Sequence, residues 1–336
     1  MKSLIQKLVE TPGPSGYEAQ VRAVVRAEVE PMADEVRVDN LGNLIVRKGE
    51  KSSQGLRIML AAHIDEIGLI ATHIDDQGFV RFLPIGGVRA AACLGSRVRF
   101  LNGAAGVIGL ERLSDTSKVP SFEQMFIDLG FSSRKECPVG VGDVAIFERH
   151  FQEAGKRLVA KALDDRIGVA VLVETLRQLH QHPMPPLHEI YYVFSVQEEV
   201  GVRGATTAAY GIDPDLGLAV DITATGDTPK GLNMEVSLGK GPAIKVRDAG
   251  LLADPRLVGW LVQTAEKAGV PYQLEVLEHG GSDARAIQLT RAGVPASCIS
   301  IPGRYIHTPS EMVDLSDAEN AVRLLVEFLS RPVVLE

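Results

Sequence analysis

Several strand-like apolar runs in this 336-residue chain end in residue types that bind metal ions. Arg57 to Ala62 runs into His63-Ile64-Asp65-Glu66, and Glu189 to Val196 runs into Gln197-Glu198-Glu199. Leu216 to Val220 leads into Asp221, and Ala296 to Ile301 leads through a short Pro-Gly loop to His307. A further acidic pair, Asp164-Asp165, opens the helical run from Arg166 to Leu179. In open α/β sheets ligands collect at the carboxyl ends of the strands, where polar side chains converge while the strands stay buried.

His63 and Asp65 are two apart and face the same side at a strand end. A metal-bound imidazole usually donates its second N–H to a carboxylate, and Asp65 is placed to accept it. Taken singly, each motif has a plainer reading. His-x-Asp fits a buried histidine beside an acid, Asp164-Asp165 fits acids on a helix N-terminus, and Asp221 and His307 fit loop positions. Glu198-Glu199 is harder to explain that way. Adjacent carboxylates after a buried strand repel each other and lose hydration unless cations compensate. Neighbouring side chains also point apart, so one can ligate while the other faces a bound water.

Together, His63, Asp164, Glu199, Asp221 and His307 suit two divalent cations sharing one carboxylate. The mixed nitrogen and oxygen ligands favour zinc, and cobalt accepts the same set. Such a pair, about 3.5–4 Å apart, lowers the pKa of a bridging water and polarises a carbonyl. Glu198, left unligated, is the expected general base on that water, passing its proton to the leaving amine.

The elements that must hold these residues alternate between strand and helix from Asp164 onward. This implies an α/β fold with a mixed sheet flanked by helices. Before them, Lys2 to Glu10 reads as an amphipathic helix. Ser15 and Glu18 read as a capping box for the helix running to about Val29. Val36, Val38, Leu44 and Val46 alternate around Asn40 to Asn43 as a hairpin. A helix is expected over Pro255 to Ala268, and a last one capped by Ser316 with Glu319. The stretch from Ile70 to Leu158 breaks the rhythm with short strands punctuated by glycines, and only Phe122 to Leu129 reads as helical. An all-β subdomain is therefore expected over 70–158, inserted into a catalytic α/β domain of residues 1–69 and 159–336.

Composition narrows the function classes. An apolar fraction of 45% and a charged fraction of 23% are ordinary for a globular protein. The net charge of −8 without a basic run argues against a nucleic-acid partner. No run approaches the roughly 20 apolar residues of a membrane span, and the amino terminus lacks a signal peptide's features. The three cysteines, Cys93, Cys137 and Cys298, suggest neither a disulfide framework nor a cysteine zinc site. A cytoplasmic enzyme is the expectation.

The motifs Ala62-His63-Ile64-Asp65-Glu66-Ile67-Gly68, Ala162-Leu163-Asp164-Asp165-Arg166, and Gln197 to Ala205 closely resemble those of a known family. So do Val220-Asp221, Gly280-Gly281-Ser282-Asp283-Ala284 and Tyr305 to Glu311, with Pro12 to Glu18 near the start. The chain resembles the glutamyl or deblocking aminopeptidases of metallopeptidase family forty-two, which include the tetrahedral (TET) aminopeptidases. The resemblance implies a co-catalytic zinc aminopeptidase core acting on peptides with a free N-terminus. It implies His63, Asp164 and Asp221 on one metal and Asp164, Glu199 and His307 on the other, with Asp164 bridging. By the resemblance Glu198 would be the catalytic base; Asp65, read above as the partner of His63, is counted with it in the expected catalytic set. The inserted domain, barrel-like, would build dimers that assemble into a dodecamer. In related co-catalytic aminopeptidases the bridging aspartate precedes a cis peptide, so Asp164-Asp165 is expected to be cis.

Two other functions compete. An endoglucanase-type glycoside hydrolase would use Glu198 and a second acid. It leaves both histidines without work, and an aromatic content of 5% is poor for stacking sugars. A non-catalytic, metal-dependent assembly protein would have no use for an unligated Glu198.

Overall fold

The computed structural model describes residues 1–113, 119–182 and 187–333. Helices α1 (Lys2–Glu10) and α2 (Ala19–Val29) lead into the hairpin β1 (Glu35–Val38) and β2 (Leu44–Lys48), then β3 (Arg57–His63). Next come β4 (Gly68–Ile74), β5 (Val80–Ile85), the short α3 (Ala90–Cys93), β6 (Arg97–Phe100), β7 (Ala105–Leu110), β8 (Met125–Asp128) and β9 (Val144–Phe147). The chain continues through β10 (Gln152–Ala154), β11 (Arg157–Ala160), α4 (Leu163–Gln181), β12 (Glu189–Ser195), α5 (Arg203–Ile212) and β13 (Leu216–Thr223). It ends with β14 (Ala243–Arg247), α6 (Pro255–Ala268), β15 (Gln273–Val276), α7 (Asp283–Gln288), β16 (Ala296–Arg304), β17 (Glu311–Asp314) and α8 (Leu315–Leu329).

The main sheet is mixed, in the order β1-β2-β12-β3-β13-β16-β17-β11-β10, with β14 and β15 branching from β16. Its centre, β12-β3-β13-β16, is parallel. Both faces of these strands are covered, which explains their unbroken apolar character. Along β3, Ile58, Leu60 and Ala62 pack into the cluster shared with α1, α2, α4, α6 and α8. Met59 and Ala61 face the other way, onto Ala208, Ala209 and Ile212 of α5 and Ile287 of α7. Register then aligns the strand ends. Ser195 pairs with His63, and Asp221 lies two residues beyond the last β3–β13 pair, Ala61–Ala219.

Strands β4-β5-β8-β7-β6-β9 close into a separate barrel. Alternation fills it: Val98 and Phe100 of β6 point into a core with Phe82, Ile127 and Phe147, while Arg97 and Arg99 are exposed. The barrel ends at Phe147. The expected range to 158 took in β10 and part of β11, but β11 pairs with β17 of the main sheet. The expected start at 70 is two residues late, since β4 begins at Gly68 and pairs Leu69 with Ala145.

Three local expectations fail for identifiable reasons. Phe122 to Leu129 is not a helix. It makes one 3-10 turn at Phe122–Gln124 and then β8, because barrel closure needs Met125 to Asp128 paired with β7. Ser15 does not cap α2, since its hydroxyl donates instead to Asp65 Oδ2 at 2.6 Å. The cap of α8 is Asp314, whose carboxylate accepts the Ser316 N–H at 2.9 Å. Among the described residues no helix is long and apolar enough to cross a membrane.

Candidate metal centre

His63 ends β3 almost fully buried, with Nε2 3.0 Å from Asp164 Oδ1 and 3.9 Å from Asp221 Oδ1. The other oxygen of Asp164, Oδ2, lies 3.3 Å from His307 Nε2, and that same nitrogen lies 3.2 Å from Glu199 Oε2. Asp164 thus stands between the two imidazoles, one on each oxygen. All the sequence-expected ligands meet at the carboxyl edge of the parallel strands. Donor atoms of His63, Asp164 and Glu199, and of His63, Asp165 and Asp221, lie within 4.8 Å of one another in each set.

Asp165 in the second set was not expected. It is fully buried, with Oδ1 accepting the Gly168 N–H at 3.1 Å and Oδ2 without a partner. The Asp164–Asp165 peptide is cis, as in the expectation.

Asp65 does less for His63 and more for its neighbours than the sequence suggested. The His63 Nδ1 lies 3.2 Å from the Asp65 backbone oxygen, nearer than the carboxylate at 3.5 Å. The carboxylate instead accepts the backbone N–H of Glu198 on Oδ1 (3.0 Å) and that of Glu199 on Oδ2 (3.2 Å). Burial pushes the Asp65 carboxyl up, but His63, Ser15 and the Glu198 amide outweigh it and hold it below its ordinary value.

Glu311 plays a matching part across the site, which sequence reasoning missed. Its Oε2 accepts the Asp164 N–H and its Oε1 the His307 N–H, both at 2.9 Å. Glu66, by contrast, points away from the centre. It pairs with Lys161 at 2.7 Å and accepts the Gly13 N–H at 3.0 Å.

The backbone around the ligands is unusual. Ala162, Gln197, Tyr305 and His307 all have positive φ, between 55° and 62°, a region that non-glycine residues seldom occupy. Such conformations persist where surrounding structure over-determines them. The barrel also reaches the centre through Gly86-Gly87. A Cβ on Gly87 would lie 2.4 Å from His307 Nδ1, and one on Gly86 3.0 Å from the Glu199 Cβ.

Electrostatics favour positive charge here. Burial pushes Glu198 well up, with Asp221, Asp283 and Glu199 adding to it and His63 opposing. Burial also raises Asp221 well above the usual carboxylate range. Burial opposes the imidazolium of His307, yet Asp164 and Glu199 outweigh it and raise its pKa to about 11. The carboxylate oxygens that attract those protons are the ones that would hold divalent ions. The residues fit such ions: the donors are imidazole nitrogens and carboxylate oxygens, and Glu199 Oε1 is buried with no partner.

Fold and site together give an α/β core with a mixed sheet, a closed six-stranded barrel, and candidate metal-ligand groups gathered at the strand ends. The profile of the M42 glutamyl aminopeptidase family matches residues 42–324, so the chain belongs to that family and is a peptide hydrolase. An aminopeptidase from Desulfurococcus kamchatkensis has the same structure at a TM-score of 0.93 and 43% identity, covering 98% of this chain and 94% of that one. A lysyl aminopeptidase of Pyrococcus furiosus is 36% identical over 338 residues, 96% of this chain and 94% of its own length. The TET1 peptidase of Pyrococcus horikoshii, which can assemble into a tetrahedron or a large octahedral shell, matches at TM-score 0.87 and 34% identity over 98% of both chains.

Proposed function

We propose that this chain is a dinuclear metal-dependent aminopeptidase that releases residues from peptides with a free N-terminus. The observation that supports it most is Asp164, with His63 on one oxygen and His307 on the other, while the Glu198 side chain stands beside them in the same cavity. His63, Asp164 and Asp221 would hold one ion, with Asp165 within reach, and Asp164, Glu199 and His307 the other. Zinc suits this donor set, and cobalt also fits. When bound, the ions acidify water and polarise the scissile carbonyl.

The chain's own groups do the rest. Glu198 accepts the proton of the attacking water and hands it to the departing amine, and its raised proton affinity matches that task. Asp65 is a positioning residue that fixes the Glu198-Glu199 backbone. The carboxylates around the cavity attract a cationic α-amine, which selects a free amino terminus over an internal bond. The barrel, by likeness to the shell-forming relative, would build dimers and larger homo-oligomers that exclude folded chains.

A panel of aminoacyl-anilides, an N-acetylated peptide and carboxymethylcellulose, each with and without a chelator, tests this reading. Chelator-sensitive cleavage of the unblocked substrates, with the acetylated peptide and the polysaccharide intact, is the expected result. Internal cleavage of the acetylated peptide at a comparable rate would replace the aminopeptidase with an endopeptidase. Release of reducing sugar would restore the glycosidase.

A further inference from the structure

The cavity that holds the centre, about 480 Å³ in volume, extends past the candidate ligands into a recess of different character. Its walls there are Ile222, Ala224, Leu232, Leu277 and Ile306. Ile222 directly follows Asp221, and Ile306 directly precedes His307. The apolar wall is therefore built from the same strand ends and loop as the centre. A peptide whose amino terminus sits at the centre places its first side chain against that wall.

Among the described residues the cavity wall carries one buried lysine, and it is already matched. Lys245 pairs with Glu275 in the parallel register of β14 and β15, so their side chains are neighbours. Its ammonium lies 2.8 Å from Glu275 Oε1 and 3.4 Å from Asp248 Oδ2, and all three side chains are almost fully buried. Thr223 Oγ1 donates to the same Glu275 oxygen at 2.7 Å. Arg89 and His279 also reach the cavity, but as exposed side chains at its rim. Arg89 also lines a neighbouring recess of about 340 Å³, together with Lys230 and with Arg304, which is paired with Asp227.

We infer that the recess selects aliphatic amino-terminal residues, of the leucine and methionine type, over acidic or basic ones. This rests on the aminopeptidase reading above. An acidic side chain would leave water for apolar walls and a lysine whose charge is spent on Glu275 and Asp248. A basic one would bring a second ammonium towards Lys245. Burying either charge without a partner is costly. A leucine or methionine side chain only removes apolar surface from water.

The test compares kcat/KM for leucyl-, methionyl-, alanyl-, glutamyl- and lysyl-p-nitroanilide with the purified protein supplied with zinc or cobalt. Leucyl and methionyl substrates are expected to exceed glutamyl and lysyl by at least about 10-fold. Alanyl should trail leucyl by a factor in the roughly 10–200-fold range that filling such a pocket supplies. Leu277→Glu, a change at a half-buried position, should raise the lysyl-to-leucyl ratio by about 10-fold or more, with an unchanged thermal midpoint as the folding control. A preference for glutamyl would overturn the inference and transfer specificity to the neighbouring basic recess. A preference for lysyl in the unaltered protein, or a ratio unmoved by Leu277→Glu, would also overturn it. Those outcomes leave the aminopeptidase reading intact, whereas failure to cleave any unblocked substrate overturns both.

Discussion

Asp65 accepts the backbone N–H of Glu198 at 3.0 Å, so the acid that follows the β3 histidine also sets the candidate base on the neighbouring strand end. With the Glu199 N–H on its second oxygen, one buried carboxylate orients both glutamates. Asp65→Asn replaces one acceptor oxygen with a donor facing an N–H. Loss of such an orienting partner costs about 10–100-fold in activity or metal affinity. Steady-state rates and metal content, measured together, should show this drop, and a variant at wild-type activity would remove Asp65 from the machinery.

The barrel loop and the centre meet at Gly87, where a Cβ would fall 2.4 Å from His307 Nδ1. Gly87→Ala should push the ring aside without unfolding either unit, because Gly87 does not require a positive φ. A displacement of about 1 Å can cost roughly 10²-fold in rate. Anilide turnover should fall towards that level while the thermal midpoint stays near wild type. Full activity in this variant would show that His307 has room the structure does not give it.

Away from the centre, Arg304 at the end of β16 pairs with Asp227 at 2.8 Å. Burial pushes Asp227 up, but Arg304, Thr225 and the Leu238 amide outweigh it and lower its pKa to about 2. The unfolded value is about 3.9. A group depressed on folding stabilises the protein fully above its unfolded pKa and loses that contribution as pH falls through the folded one. Between about pH 4 and pH 2, urea midpoints of the wild type should therefore fall more steeply than those of Asp227→Asn. Parallel profiles would contradict the pairing.

Much of this organisation was legible in the sequence. The ligand-bearing ends of β3, β12 and β13 were readable because parallel strands buried on both faces leave their polar residues only at the edges. The bounds of α6 at Pro255–Ala268 match, since Asp254 caps it and Gly269 ends it in a left-handed turn. Long-range partners were not readable. Ser15 and Glu18 have the spacing of a capping box, yet Ser15 binds Asp65, fifty residues away. Glu311 carried no signal of its own, and Asp165 was visible only as half of the acidic pair with Asp164, because their roles depend on backbone amides and burial created by distant elements. Barrel closure overrode the helical look of Phe122 to Leu129 in the same way.

Glu198 is the residue on which the catalytic proposal turns, and exchanging it for glutamine while counting bound metal tests that proposal most directly. Glutamine keeps the shape and cannot take a proton, so turnover should fall by about 10²–10⁴-fold with metal per subunit as in wild type. Glu199→Gln, measured alongside, should instead lose metal, since Glu199 Oε2 is the atom beside His307. Wild-type turnover by Glu198→Gln, or loss of metal from it while Glu199→Gln keeps a full complement, would contradict the assignment of base and ligand.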